Sequence, residues 1–329
     1  MRVVSLGSSS SGNSLYVEAG PGGRTRLLVD AGLGVRVLQA RLRSLGVDLS
    51  QLRGVLVTHE HSDHVLALPA LLRRYQVPVI TNEETFAAIE QGLVAGAWRS
   101  DSGKLVVSPT EAEGDVVIQE QSETTLVQEQ SGVEIVTRIQ ESTLVYRPAN
   151  NVPALILPTG KTTTVGDIEV TSFPILHDAV APCGYLLSVG GCRLCVVTDT
   201  GEVTPEMLSM MAQADLLVLE SNHDRQRLLR GPYPQRLKQR IISSTGHLSN
   251  DQAANAVLKT WRPDSIRWLW LGHLSKTNNT PSLALTSMRE RLQSAGANLS
   301  QLHITVLPPG MGGIWDSTQL WHAPSLWDL

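Results

Sequence analysis

The sequence predicts a mixed α/β domain, on two observations. Strand and helix patterns follow one another in succession. Arg26 to Asp30 reads as a strand and leads into a helix with apolar Val35, Leu38, Leu42 and Leu45; Gly54 to Val57 precedes a helix from about Val65 to Tyr75, a strand at Val77 to Thr81 and a helix opening near Asn82. Metal-competent side chains also close the apolar runs. Thr58-His59-Glu60-His61-Ser62-Asp63-His64 follows Gly54 to Val57, and Asp199 closes Val196-Val197-Thr198. A loop leaving a strand turns alternate side chains toward one point, so His59 and His61 can share one ion while Asp63 and His64 reach a second.

The other elements follow in order. Val3 to Leu6 and Ser14 to Ala19 are strands joined by Gly7-Ser8-Ser9-Ser10-Ser11-Gly12-Asn13, whose glycines and small polar residues suit a turn. Its amides and hydroxyls could touch a substrate phosphate, but no lysine or following helix makes it a Walker-type cradle. Asp30 ends a strand, where it serves equally as a helix cap. From Pro109 to about Pro153 the composition turns to Glu, Gln, Thr, Ser and Val, an inserted low-complexity stretch expected to carry no catalytic residue and to include at most a hairpin. Strands resume at Ile168 to Phe173, Gly184 to Val189, Cys192 to Thr198, Asp215 to Glu220 and Ile266 to Leu271, with helices from about Asn250 and from Pro281 to about Ala295. Trp315, Trp321 and Trp327 make the last stretch, about 308–329, too aromatic for a free tail; it should pack on the body or on another subunit, which makes a homo-oligomer an expected assembly.

Composition narrows the classes. The chain has 329 residues, 42% of them hydrophobic, enough for a sizeable core, and is read as a single domain over 1–329. No secretory segment opens it and no run nears the ~18 apolar residues of a membrane span, so the cytoplasm is the expected location and no membrane is expected as partner. Cys192 and Cys195 lack a second pair for a tetrahedral site, and on a strand their side chains point to opposite faces, so buried thiols are expected. The net charge of −4 is unevenly spread: residues 111–141 carry −7, leaving +3 for the rest. Arg225, Arg227, Arg230, Arg236, Lys238 and Arg240 crowd a segment with one acid, Asp224, a solvated helical face or the footprint of phosphate-backbone binding.

Taken together, Gly-Ser-Ser-Ser-Ser-Gly-Asn-Ser (7–14), the histidine run (58–64), His-Asp-Ala (177–179), Glu-Ser-Asn-His-Asp (220–224), Gly-Pro-Tyr-Pro (231–234), Gly-His-Leu-Ser-Asn (246–250) and His-Leu-Ser-Lys-Thr-Asn-Asn-Thr-Pro (273–281) resemble the WalJ/YycJ branch of the metallo-β-lactamase superfamily. The resemblance covers roughly residues 1–100 and 165–305. It implies an αββα sandwich, two mixed β-sheets flanked by helices, and a cytoplasmic metal-dependent nuclease acting on DNA, most simply a 5′-to-3′ exonuclease. It also implies that His59, His61 and His177 hold one ion, Asp63, His64 and His273 the other, with Asp199 bridging and Asp30 supporting the ligands from behind. Mixed nitrogen and oxygen ligands suit two divalent ions, Zn²⁺ or Mn²⁺. Such a pair acidifies a bridging water to hydroxide and neutralises charge on the phosphate. Asp63 and His247 are the expected catalytic residues. His247 precedes a helix 26 residues before His273, much as ribonuclease Z-like enzymes place a histidine that assists the leaving group. Ser9, Ser10, Asn13, His223, Arg236, Lys238, Asn278 and Asn279 are the expected substrate contacts.

Rival readings share parts of this pattern. A glyoxalase II-like thioesterase or a small-molecule phosphodiesterase would use the same ligands, but a thioesterase gives the basic segment no task. An antibiotic-hydrolysing lactamase would be exported, often with a cysteine where Asp199 stands. Ribonuclease J-like nucleases insert a domain that the 47 residues between Asp199 and His247 cannot house. A regulator that had lost its metals would not be expected to keep seven ligands.

Overall fold

The computed structural model describes residues 1–96, 144–147 (backbone only), 152–263 and 265–320. Most of the acidic stretch, together with Trp321 and Trp327, lies outside the described residues.

In chain order the strands of the first half are β1 (Arg2–Gly7), β2 (Ser14–Ala19), β3 (Thr25–Val29), β4 (Gly54–Leu56), β5 (Val79–Thr81), β6 (Leu144–Arg147) and β7 (Val152–Ile156). Those of the second half are β8 (Thr162–Val165), β9 (Ile168–Pro174), β10 (Cys183–Val189), β11 (Cys192–Val197), β12 (Leu216–Glu220), β13 (Arg267–Gly272), β14 (Leu302–Val306) and β15 (Gly312–Asp316). The helices are α1 (Val35–Ser44), α2 (Ser62–Val65), α3 (Leu68–Ala70), α4 (Glu83–Ala95), α5 (Pro205–Met211), α6 (Arg225–Arg230), α7 (Gln235–Ile242), α8 (Asn250–Lys259) and α9 (Pro281–Ser294). One sheet of eight strands runs β15-β1-β2-β3-β4-β5-β7-β6, the other of seven runs β14-β13-β12-β11-β10-β9-β8. Both are mixed: β3, β4, β5 and β7 are parallel, as are β11 to β14, and the remaining pairs are antiparallel.

Three apolar clusters define four layers. Val4, Leu28 and Val55 on one face of the first sheet pack with Leu38 and Leu42 of α1 and Phe86 and Ile89 of α4. Val3, Val17 and Leu27, from the opposite face, meet Tyr185, Leu187 and Leu194 between the sheets. Cys195, Leu217 and Leu269 pack with Met207, Val257 and Met288 of the outer helices. Period-two alternation along each strand is the cause, since successive side chains serve opposite cores. Cys192 lies in the cluster between the sheets and Cys195 in the one under the helices, as opposite-facing buried thiols should.

The helix expected from Val65 to Tyr75 begins earlier and is broken. α2 starts at Ser62, so Asp63 and His64 stand on a helical turn. The Ala67 amide donates to Ala31 O at 2.8 Å, and Pro69 brings no N–H, so the run re-forms as α3 and a wider turn over Leu71–Tyr75. α8 opens as expected, with Ser249 as its cap in a capping box with Gln252. β6, β7, β8, β14 and β15 are not legible in the sequence; β6 pairs with β7 as a hairpin at the end of the insert. Among the described residues no helix is long and apolar enough to cross a membrane.

Trp315 on β15 is fully buried between the sheets, its ring 5.9 Å from that of Trp268, so the described part of the tail is anchored in the core through this one side chain. Trp315→Ala should cost about 3–5 kcal/mol in urea unfolding, the usual worth of a buried large aromatic. A loss below about 1 kcal/mol would mean that β15 is only loosely attached.

Candidate metal centre

The side chains of interest converge at the strand ends where β3, β4 and β11 to β13 finish. Three of these positions have left-handed backbone without glycine: Asp30 (φ 60), Asp199 (φ 55) and His273 (φ 53). Such a conformation costs of order 1–3 kcal/mol and persists only where the surroundings enforce it. Here it turns each side chain back across the end of its own strand. Gly32 allows the approach of the histidine run, because a Cβ there would lie 1.5 Å from Asp63 O.

Most of the imidazoles are anchored through one ring nitrogen. His64 Nδ1 donates to Asp30 Oδ2 at 2.8 Å. His59 Nδ1 meets Thr58 Oγ1 at 3.0 Å, and that hydroxyl donates to Asp30 Oδ2 at 3.0 Å. His177 Nδ1 donates to Gly246 O at 3.2 Å. A single oxygen of Glu220, Oε1, accepts from His247 Nδ1 at 2.7 Å and from His273 Nδ1 at 2.9 Å. Anchoring of this kind fixes the tautomer and leaves the second nitrogen free as a ligand.

The free atoms gather into groups. Ligand atoms of His59, His61 and His177 lie within 4.8 Å of one another, and so do those of Asp63, His64 and His273. Asp199 joins both sides, grouped with His59 and His64 and also with Glu220, His247 and His273. His177 Nε2 faces His61 Nδ1 at 3.3 Å, and His64 Nε2 stands 3.1 Å from Asp199 Oδ2. The Nε2 atoms of His59 and His273 are buried and lack a hydrogen-bond partner among the described residues; the latter faces Asp63 Oδ2 at 3.4 Å without completing a bond. Buried nitrogens left open in this way fit a cation that would occupy their lone pairs.

The local field also favours positive charge. Burial alone would lower the basicity of His64, yet Asp199, Asp30 and Asp63 hold it well above its usual value. His273 is carried against burial to about 10 by Asp199, Asp63 and Glu220. Conversely, burial would raise Asp199, but His273 and His64 keep it well below the carboxylate range. His59 is pushed well down by burial and by its neighbour His64, which suits a neutral donor. A site that stabilises imidazolium stabilises a divalent ion at the same place.

Glu220 is the residue that sequence reasoning passed over. It is 1% exposed, and its Oε2 accepts the amides of Thr200 at 3.0 Å and Leu248 at 3.2 Å. The available signal was one acid closing an otherwise apolar strand, Leu216–Glu220. Asn13 also belongs here, with Nδ2 3.2 Å from His64 Nε2 and 3.4 Å from Asp63 Oδ2.

The remaining expected contacts are dispersed. Ser9 is buried within its loop, its amide donating to Asn13 Oδ1, while Ser10 is exposed. His223 is 1% exposed with Nδ1 unpartnered among the described residues, and burial lowers it to about 4. Asn279 is buried and donates to Ser221 O and Asn222 O; buried Asn278 receives Asp224 N at its carbonyl. Lys238 is buried, its ammonium donating to Leu229 O at 2.7 Å, and Arg240 reaches Asp178 at 2.5 Å. Arg236 is exposed on α7.

A family model for the metallo-beta-lactamase superfamily matches residues 9–213. The chain belongs to that superfamily. It is 33% identical over 290 residues to exodeoxyribonuclease WalJ of Streptococcus pneumoniae, covering 88% of this chain and 87% of that protein. It is 32% identical over 296 residues to exodeoxyribonuclease YycJ of Bacillus anthracis, covering 90% of each. Among solved structures, the metallo-beta-lactamase fold protein YhfI from Bacillus subtilis superimposes with a TM-score of 0.59 at 14% identity, over 95% of this chain and 98% of that one, a likeness of fold.

Glu220→Gln tests the anchoring. It keeps volume but removes the charge that holds two rings, so metal affinity should fall about 10–100-fold, the common effect of losing such a support, with the fold retained. Metal titration of the variant checks it; unchanged affinity would reduce Glu220 to packing.

Proposed function

We propose that this chain is a metal-dependent phosphodiester hydrolase acting on DNA, most simply a 5′-to-3′ exodeoxyribonuclease in the cytoplasm. The observation that carries the reading is the pair of three-residue groups joined by Asp199. Two relatives named exodeoxyribonuclease, matched over most of their length, support it. In this reading His59, His61 and His177 hold one ion and Asp63, His64 and His273 the other, with Asp199 between them and Asp30 behind. Nitrogen and carboxylate donors without thiolate suit Zn²⁺ or Mn²⁺. When bound, such ions supply positive charge beside the reacting phosphate and acidify water.

The chain's own residues do the rest. Glu220 fixes the His247 ring through Nδ1, which leaves Nε2 of a ring still 22% exposed to bind the phosphate or protonate the departing oxygen. Asn13 steadies Asp63 beside His64. The backbone-tracking surface narrows to Arg225, Arg230 and Arg236, exposed and without a carboxylate partner among the described residues, because Lys238, Arg240 and, through Thr277 O, Arg227 are already engaged.

The test is one assay series with metal-loaded protein on duplex DNA, RNA and a thioester. DNA should be degraded from 5′ ends, with activity abolished by a chelator and by His59→Ala; thioester turnover without DNA cleavage would contradict the reading. Arg236→Glu should flatten the log–log salt dependence of DNA binding by at least about one unit, whereas Lys238→Gln should lower stability and leave the slope alone. Equal slopes for wild type and Arg236→Glu would make this face mere solvated surface.

A further inference from the structure

The two sides of the centre are unlike. On the His177 side Arg240 of α7 pairs with Asp178; on the side of His273 and Asp63 lies the loop 8–13, reached by Lys276, whose neighbour Thr277 accepts from Arg227 of α6. That loop is tied to the centre at three points. The His273 amide donates to Ser8 Oγ at 2.8 Å, the Asn13 amide to Asp63 O at 2.8 Å, and Asn13 Nδ2 approaches His64 Nε2. Its tip is unspent. Ser10 and Ser11 are exposed, and the Ser10 N–H has no partner among the described residues. Lys276 Nζ donates to Ser11 Oγ at 2.9 Å and pairs with no carboxylate among the described residues. Ser11 Oγ in turn lies 3.0 Å from Ser9 Oγ, which also accepts the Ser11 amide at 3.3 Å. The Ser10 amide, the serine hydroxyls and the ammonium of Lys276, three residues on from His273 in the chain, are therefore neighbours, with no carboxylate bonded to them among the described residues. This is the donor set of an anion site.

We infer that Lys276, with Ser10 and Ser11, is a second phosphate subsite that holds a phosphate of the substrate other than the one being cut. The inference rests on the proposed nuclease reading and adds the residues that fix the strand on the side of His273. Gripping a non-reacting phosphate contributes binding and register and makes no contact with the scissile bond. Lys276 is accordingly a specificity-determining residue. Its loss should appear in KM on a substrate with several phosphates and far less on one with a single phosphate.

The experiment compares wild type, Lys276→Gln and Lys276→Arg as metal-loaded protein. The substrates are a short DNA with a 5′-phosphate, the same DNA with a 5′-hydroxyl, and bis(4-nitrophenyl) phosphate. Binding to a phosphorothioate strand is measured across salt concentrations. Lys276→Gln should raise KM on DNA about tenfold with kcat within about threefold, and lower the salt slope by about one. Its penalty on the small diester should be at least fivefold smaller, and Lys276→Arg should recover most of the loss. A penalty that disappears on the 5′-hydroxyl strand identifies a terminal phosphate monoester; one that persists identifies an internal diester. Unchanged KM and slope, or equal losses on DNA and the small diester, would overturn the subsite. Wild type that cleaves the small diester but no DNA would overturn the nuclease reading itself, a result visible without any variant.

Discussion

Imidazoles and carboxylates packed out of water at one end of two sheets are the constraint on which the rest of the structure depends. An unpaired polar group in such a place costs several kcal/mol, and an isolated charge more. The protein meets this with two buried carboxylates that serve as anchors. Asp30, just past β3 in the first sheet, holds His64 and, through Thr58, His59. Glu220, at the end of β12 in the second sheet, holds His247 and His273. The apolar cluster between the sheets holds their ends together, so that Asp199 meets both His64, held by Asp30, and His273, held by Glu220. The left-handed backbone at Asp30, Asp199 and His273 is the local strain that the packed layers sustain.

This division explains what the sequence revealed and what it concealed. The run His59 to His64 is legible because its ligands are neighbours in the chain and need only one turn to converge. His177, Asp199 and His273 are ordinary in isolation; their order and their places at strand ends drew them out. Glu220 stayed hidden because the rings it anchors lie 27 and 53 residues further on, and a lone acid after Leu-Leu-Val-Leu looks like the end of a strand and nothing more. The helical start at Ser62 was masked by Pro69 and by histidines that suggest a loop. Strands such as β8, β14 and β15 carry little pattern because they lie at sheet edges, where pairing on one side replaces a continuous apolar run.

The same reasoning separates charges that look alike in the chain. Lys238 and Arg240 belong to a basic run, yet one closes on a carbonyl of α6 and the other on Asp178 beside His177, so both serve the architecture. Lys276 stands apart from that run and, though part of the 273–281 motif, drew no role from the sequence, although it lies closer to the centre in sequence than any of them. Lys276 and the arginines of α6 and α7 thus stand near the buried cluster, an arrangement suited to a polyanion drawn across it.

The central proposal is that two ions share this cluster, held by seven side chains of which His273 is one and His247 is not. Metal equivalents per chain in the purified His273→Ala and His247→Ala variants test it most directly. The account predicts that His273→Ala loses one equivalent, whereas His247→Ala retains both and turns over about 10²–10⁴-fold more slowly, the scale of positioned acid–base help. Loss of metal from His247→Ala with both ions kept in His273→Ala would contradict it.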